Sequence, residues 1–266
     1  MTRLISALIL LPVVVGIMWG LPPWGTLLLC LMVLLLSLRE YDVLVARSGL
    51  DVIPGLTMVL SVGMFLLLTL GLRPERWLLL VPAVTGAALV VRGRVPAHSV
   101  AVAASTIFGV VYLGYGVATV VLIRQDFGAV PLLSLILMQV ASDSAQYYTG
   151  RAFGRSPLAP TLSPKKTREG AIGGLIAAAV VLATLGRLWL PGIPLWQLAV
   201  LGLGLGVAGI AGDLFESMLK RSADVKDASG LIPGHGGMLD RIDALLFSTP
   251  LYYVALSVLW SQGPRP

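Results

Sequence analysis

Leu195-Trp196-Gln197-Leu198-Ala199-Val200-Leu201-Gly202-Leu203-Gly204-Leu205-Gly206-Val207-Ala208-Gly209-Ile210-Ala211-Gly212 carries no charge, and it runs without a break into Asp213-Leu214-Phe215-Glu216-Ser217-Met218-Leu219-Lys220-Arg221. A spanning helix needs about 20 mostly apolar residues. The segment shows no polar–apolar alternation of the kind a barrel strand would carry, and inside lipid a helix satisfies its own backbone groups. The small residues of the run Gly202-Leu203-Gly204-Leu205-Gly206-Val207-Ala208-Gly209 let a second helix approach closely. The reading is a membrane helix that ends in carboxylates and cations.

Working outward, the same criterion marks nine candidate spans: Leu4–Gly20, Trp24–Leu38, Val52–Leu72, Trp77–Val91, Val100–Ile123, Val130–Ala141, Ala171–Leu190, Leu195–Gly212 and Ala244–Trp260. The first follows one Arg as a signal peptide would, but no small-x-small cleavage site separates it from the next, so an uncleaved helix is expected. The sixth is short and runs into Ser142-Asp143, which implies an earlier start or a helix continuing into a polar cavity. Pro12, Pro82 and Pro250 lie inside spans and are expected to kink them or to be tolerated by packing. Composition agrees. Of 266 residues, 57% are hydrophobic and 12% charged, against roughly 45–50% and about 25% in soluble domains. The fold class is all-α: a polytopic integral membrane helical bundle of about nine transmembrane helices, with residues 1–266 forming one membrane domain.

The net charge of +6 would suggest nucleic acid in a soluble protein. Here it has a simpler source, since Lys and Arg collect in cytoplasmic loops. With nine spans and a cytoplasmic N-terminus, 14 basic residues fall inside and 5 outside, accounting for all 19. That bias places the loops Ser142–Gly170 and Asp213–Asp243 on the cytoplasmic side, where nucleotides are available. No nucleic-acid partner is expected. Cys30 is the single cysteine, so it makes no intramolecular disulfide.

Those two loops hold eight of the thirteen acidic residues, Asp143, Glu169, Asp213, Glu216, Asp224, Asp227, Asp240 and Asp243, and nine of the nineteen basic ones. Carboxylates abutting spans are costly and mark function by default. Continued as a helix, the stretch after Gly212 puts Asp213, Ser217 and Lys220 on one face. Glu216 and Lys220 read equally well as an ordinary surface pair. Beyond Lys226-Asp227, the run Pro233-Gly234-His235-Gly236-Gly237 is too glycine-rich for a helix. Its backbone can approach a ligand closely and present N–H groups to an anion, or it can simply shape the loop. Asp240-Arg241-Ile242-Asp243 then starts the last helix with two carboxylates facing the same way. Carboxylates among lysines and arginines suit magnesium-assisted phosphoryl or nucleotidyl transfer. In the other loop Ser163-Pro164-Lys165-Lys166-Thr167-Arg168-Glu169-Gly170 lacks the spacing of a P-loop. Its lysines and hydroxyls suit phosphate groups, or a plain basic loop.

At these residues the chain resembles the phosphatidate cytidylyltransferase (CDP-diglyceride synthetase) family. The signature reads Ser217-x-x-Lys220-Arg221-x4-Lys226-Asp227-x-Ser229-x-x-Ile232-Pro233-x-His235-Gly236-Gly237-x-x-Asp240-Arg241-x-Asp243. Ser142-Asp143 with Tyr147 and Gly150-Arg151, and Ser163-Pro164-Lys165-Lys166-Thr167 with Glu169-Gly170, match two further segments. Gln146 and Arg168 depart from the small and aromatic residues expected there. The motifs lie in residues 125–266, the catalytic half, while residues 1–124 are the N-terminal apolar spans.

The resemblance implies a homodimer in the cytoplasmic membrane that joins CTP to phosphatidate with Mg²⁺, one or two ions per site. It implies Asp213 and Asp240 as metal ligands, with Asp243 beside them. Lys220, Arg221, Lys226, Asp227, His235 and Arg241 become the catalytic candidates. Ser142, Asp143, Ser163, Lys165, Lys166, Thr167, Ser217, Gly236 and Gly237 become the substrate-binding ones. A polyprenol kinase or archaeal-lipid cytidylyltransferase is the alternative within this chemistry. An ion-coupled transporter would show repeated halves, which this chain lacks.

Overall fold

The computed structural model describes residue 12 and residues 14–50, 53, 55–72, 74–93, 99–230 and 236–262. Residues 14–20 are helical; the start of the first expected span lies outside the described residues. The remaining helices are α1 (Pro23–Arg47), α2 (Leu56–Thr69), α3 (Pro74–Val91), α4 (Ser99–Gly109), α5 (Gly116–Asp126), α6 (Ala129–Phe153), α7 (Arg168–Gly186), α8 (Leu195–Ser222) and α9 (Leu239–Gln262). A π-helical stretch, Val110–Tyr115, joins α4 to α5.

Among the described residues, four helices are long and apolar enough to cross a membrane: Ser99–Asp126, Arg168–Gly186, Leu195–Ser222 and Leu239–Leu259. Leu56–Thr69 and Arg76–Val91 are shorter apolar helices. The chain is a helical membrane protein. The expected span Val52–Leu72 is only 14 residues as a helix, about 21 Å at 1.5 Å per residue. Glycines in the left-handed region bracket it, Gly55 at φ 74° and Gly71 at φ 68°, a conformation that costs glycine little. The expected span Ala171–Leu190 also ends early, at Gly186, whereas two helices run longer than expected. α6 continues past Ala141 to Phe153, and α8 continues past Gly212 to Ser222.

The chain divides into two compact units, Met1–Leu122 with Leu219–Ile242, and Ile123–Met218 with Asp243–Pro266. The signature segment from Leu219 to Ile242 therefore groups with the N-terminal spans. In that first unit the core gathers Leu60, Met64, Val81 and Val110, with Leu56, Leu68, Trp77 and Ile107 against it. The Trp77 indole N–H donates to the Leu60 carbonyl at 2.9 Å, which fixes the half-buried ring against the core. The Tyr41 hydroxyl donates to the Ser105 carbonyl at 2.8 Å and ties α1 to α4.

In the second unit α6 and α7 form a tight pair. Their connection is a two-stranded antiparallel hairpin, β1 (Pro157–Ala159) and β2 (Ser163–Thr167), with Pro157 opposite Thr167 and Ala159 opposite Ser163. The lysine segment expected as a loop is thus a strand, an addition to an otherwise helical fold. Local pairing is what makes it one, since the hairpin satisfies its own backbone groups. The Thr167 side chain then caps α7, accepting from the Gly170 N–H at 3.1 Å, the usual N-cap arrangement. The Glu169 carboxylate accepts from the N–H groups of Arg155 at 3.1 Å and Ser156 at 3.2 Å, closing the entry to the hairpin.

Candidate active site

The carboxylates and lysines singled out by the sequence form two clusters, one in each unit. In the second unit the centre is Asp213, set where the apolar part of α8 stops. Lys166, from β2, reaches it and makes an ion pair through its ammonium. Both groups keep solvent contact, with side chains 23% and 36% exposed. Asp243, near the start of α9, lies within electrostatic reach of Asp213, Asp143 and Lys166. Its carboxylate accepts from the following N–H, that of Ala244, at 2.7 Å. Asp143 is exposed on α6 and accepts from Gln146 Nε2 at 3.2 Å. Ser142 and Ser217 are buried, Lys165 is exposed, and Ser163 and Thr167 are half-buried on the hairpin.

A glycine makes this cluster possible. A Cβ on Gly212 would collide with the carbonyl of Asp243 and crowd Ala244 Cα. The backbones of α8 and α9 touch there, and the adjacent Asp213 is brought toward Asp243. Gly212→Ala is expected to push the helices apart, at a cost of roughly 1–3 kcal/mol for overpacking. A melt in detergent should show the loss, and an unchanged melting temperature would refute the close approach.

In the first unit the centre is Asp240, in the opening turn of α9. Its Oδ1 accepts from Lys220 Nζ at 2.5 Å, and its Oδ2 accepts from the N–H groups of Gly237 at 2.7 Å and Ala228 at 3.1 Å. The pair is mostly buried, the side chains being 13% and 9% exposed. Arg221 donates to the Val225 carbonyl at 3.0 Å, and Arg221, Lys226, Asp227 and Arg241 are exposed. His235, with Ile232, Pro233 and Gly234, lies outside the described residues.

One participant escaped the sequence reading. Glu40, near the C-terminal end of α1, is 6% exposed. Its carboxylate accepts from Ser229 Oγ at 2.5 Å, Met238 N–H at 2.9 Å and Leu239 N–H at 2.7 Å. The sequence held the signal, a carboxylate two residues past the apolar span Trp24–Leu38. Glu40 and Asp240 also explain the glycine pair. A Cβ on Gly237 would lie 2.6 Å from a Glu40 oxygen, and one on Gly236 would lie 2.8 Å from Asp240 Oδ2. Gly236 also takes φ 76°. In this structure the anions approached by the glycine-rich backbone are the protein's own carboxylates.

The cytidylyltransferase family profile matches residues 1–259. The chain belongs to the cytidylyltransferase family. A phosphatidate cytidylyltransferase of Synechocystis is 33% identical over 260 residues, covering 86% of this chain and 87% of the relative. One from Bacillus subtilis is 47% identical over 120 residues, 44% of each chain. The uncharacterized protein YnbB of Escherichia coli is 40% identical over 126 residues, 47% of this chain and 42% of the relative. Several of these matches thus span only about half the length of the curated relatives.

For a cytidylyltransferase the implied metal has to fit these carboxylates. Among the described residues no three His, Cys, Asp or Glu side chains converge as a ready cage. The donor chemistry still suits a hard cation. Asp213, Asp143 and Asp243 offer only oxygens, and a lysine ammonium already places positive charge at Asp213 and another at Asp240. Asp240 already accepts from Lys220 Nζ and from two backbone N–H groups, so a cation there would share the carboxylate with them.

Proposed function

We propose that this protein is a phosphatidate cytidylyltransferase of the cytoplasmic membrane, converting CTP and phosphatidate to CDP-diacylglycerol and pyrophosphate. The observation that carries the reading is the coincidence of the family's charged signature with two lysine–aspartate pairs at the polar ends of membrane helices. The phosphate of phosphatidate is largely ionised near neutral pH, with a second pKa of about 6 by analogy with phosphoserine. Its oxygen attacks the α-phosphorus of CTP in line. A new P–O bond forms, the bond from the α-phosphorus to the α–β bridging oxygen breaks, and pyrophosphate leaves with the electron pair. No general base is obligatory, so His235 shapes its loop or donates a hydrogen bond.

The work of the protein is positioning and charge neutralisation. Lys165, Lys166, Lys220, Arg221, Lys226 and Arg241 supply positive charge for the triphosphate and the lipid phosphate. Ser142, Ser163, Thr167 and Ser217 supply hydroxyls, and Asp143 and Asp227 orient the cations. Asp213 and Asp240 would hold Mg²⁺, with Asp243 and Asp143 as further oxygen donors beside Asp213. The ion supplies Lewis-acid stabilisation of charge on the phosphates. A homodimer, as the family resemblance implies, is part of the same reading.

The decisive test incubates purified protein in detergent with labelled CTP, Mg²⁺ and a panel of lipid phosphates and lipid alcohols. Label in a lipid product with phosphatidate alone supports the reading. Product with a polyprenol or an archaeal ether-lipid phosphate would replace it, and no CTP-dependent product at all would end it.

Orientation is a separate proposal, supported by the 14-to-5 charge bias. With Cys30 replaced, Thr161→Cys at the exposed hairpin tip should resist an impermeant thiol reagent in intact cells and react after lysis. Labelling in intact cells would reverse the assigned side.

A further inference from the structure

We propose that Glu40 is the positioning residue of the signature loop: a buried carboxylate from the N-terminal spans that caps the last helix and so holds Asp240 and Lys220 in their working places. The inference rests on the cytidylyl-transfer reading for its consequence, but the anchor itself is geometric.

The position to the N-terminal side of α9 is Met238, whose thioether is only a weak hydrogen-bond acceptor. Ser, Thr, Asp and Asn are the residues that normally fill it. The orphan N–H groups of a helix start must go somewhere, and here those of Met238 and Leu239 both go to Glu40, at 2.9 and 2.7 Å. A helix N-terminus favours negative charge, so an ionised carboxylate serves better than a neutral group. The cap is supplied from about two hundred residues away in sequence, the separation of Glu40 and Leu239 being 199.

The same carboxylate takes the Ser229 hydroxyl at 2.5 Å. Two points of the loop, Ser229 and Met238–Leu239, are therefore clamped by one side chain. Between and beside those points Asp240 makes its own contacts. It accepts from Ala228 and Gly237, the immediate neighbours of Ser229 and Met238, and from Lys220. The Glu40 clamp and the Asp240 clamp interlock around the glycines. Moving the first shifts the second. This accounts for Ser229 and Gly237 in the signature without a substrate: Ser229 donates to Glu40, and Gly237 leaves room for it, a Cβ there coming within 2.6 Å. A residue in the apolar half, with no place in the C-terminal motifs, thus belongs to the site's framework.

The test uses the full-length protein in detergent, comparing wild type with Glu40→Gln, Ser229→Ala and the double variant. Glutamine keeps the size and one acceptor oxygen, but turns an N–H₂ toward donors. Amide exchange in the peptide 236–242 should speed up at least tenfold in Glu40→Gln while the α2 and α3 peptides stay unchanged, as expected for loss of a charge-assisted cap. In the active enzyme kcat should fall about tenfold to a hundredfold with KM for CTP within about twofold, since misplacement of catalytic groups is felt in the transition state. Ser229→Ala should add little on top of Glu40→Gln. Unchanged exchange in 236–242, or faster exchange with wild-type kcat, overturns the inference. A wild type that labels no lipid overturns the proposed function instead, and the exchange result still decides whether Glu40 is the clamp.

Discussion

Asp213→Asn should lower CTP-dependent formation of lipid product by about a hundredfold to a thousandfold, the scale on which a single electrostatic stabiliser contributes, and should leave the melting temperature close to wild type. The two halves of this expectation have different origins. The activity loss follows from placing Asp213 at the meeting of Lys166, Asp243 and Asp143 in one unit, the position proposed for a divalent cation. Asparagine keeps the shape and removes the charge. The small effect on stability follows from exposure, since the Lys166–Asp213 pair has side chains 23% and 36% exposed. Ion pairs in such surroundings contribute little. Lys166→Met tests the partner: it should raise KM for CTP, because an ammonium proposed to hold phosphate is lost while the carboxylate stays. Near-normal turnover of Asp213→Asn at low Mg²⁺ would remove Asp213 from the metal site.

The contrast with the rest of the molecule shows what a sequence can and cannot disclose. Apolar length identified α8 and the stretch Ser99–Asp126 as membrane helices because the lipid requirement is written locally, residue by residue. Helix continuation past Gly212 was also foreseeable, since no turn residue intervenes before Ser222. The shortness of α2 was harder to foresee. Its limits are set by positive φ at Gly55 and Gly71, and glycine inside an apolar run does not announce whether it is helical. The charged residues were legible as a set but not as pairs. Nothing in the order of the chain says that Lys166 meets Asp213 or that Lys220 meets Asp240, because such pairings depend on tertiary packing. Glu40 was hidden for a further reason. Its partners are two backbone N–H groups and a serine, and a backbone donor has no letter in the sequence. From sequence the Gly236–Gly237 pair reads equally as backbone open to an anion or as a loop-shaping element. The structure fills that opening with Glu40 and Asp240.

Asp240→Asn should destabilise the protein as well as silence it, which separates it from Asp213→Asn. Lys220 and Asp240 have side chains only 13% and 9% exposed. Breaking a buried pair by removing one partner costs about 3–5 kcal/mol, because the remaining charge is stranded. For a chain of this size that corresponds to a melting temperature lowered by roughly 10 °C. Asparagine could still accept through Oδ1 from Ala228 or Gly237, but its N–H₂ would face another donor. Removing the stranded charge should therefore repair the fold. In Lys220→Met/Asp240→Asn the apolar side chain occupies much of the lysine stem's volume and no ammonium remains, so most of the lost stability should return. Activity should not return, since both the proposed metal ligand and a proposed phosphate-binding cation are gone. Melts and labelled-CTP assays on the two single variants and the double variant measure each effect separately. A double variant as unstable as Asp240→Asn would show that the backbone contacts of Asp240, rather than its pairing with Lys220, hold the loop. A double variant with restored turnover would remove both residues from the chemistry.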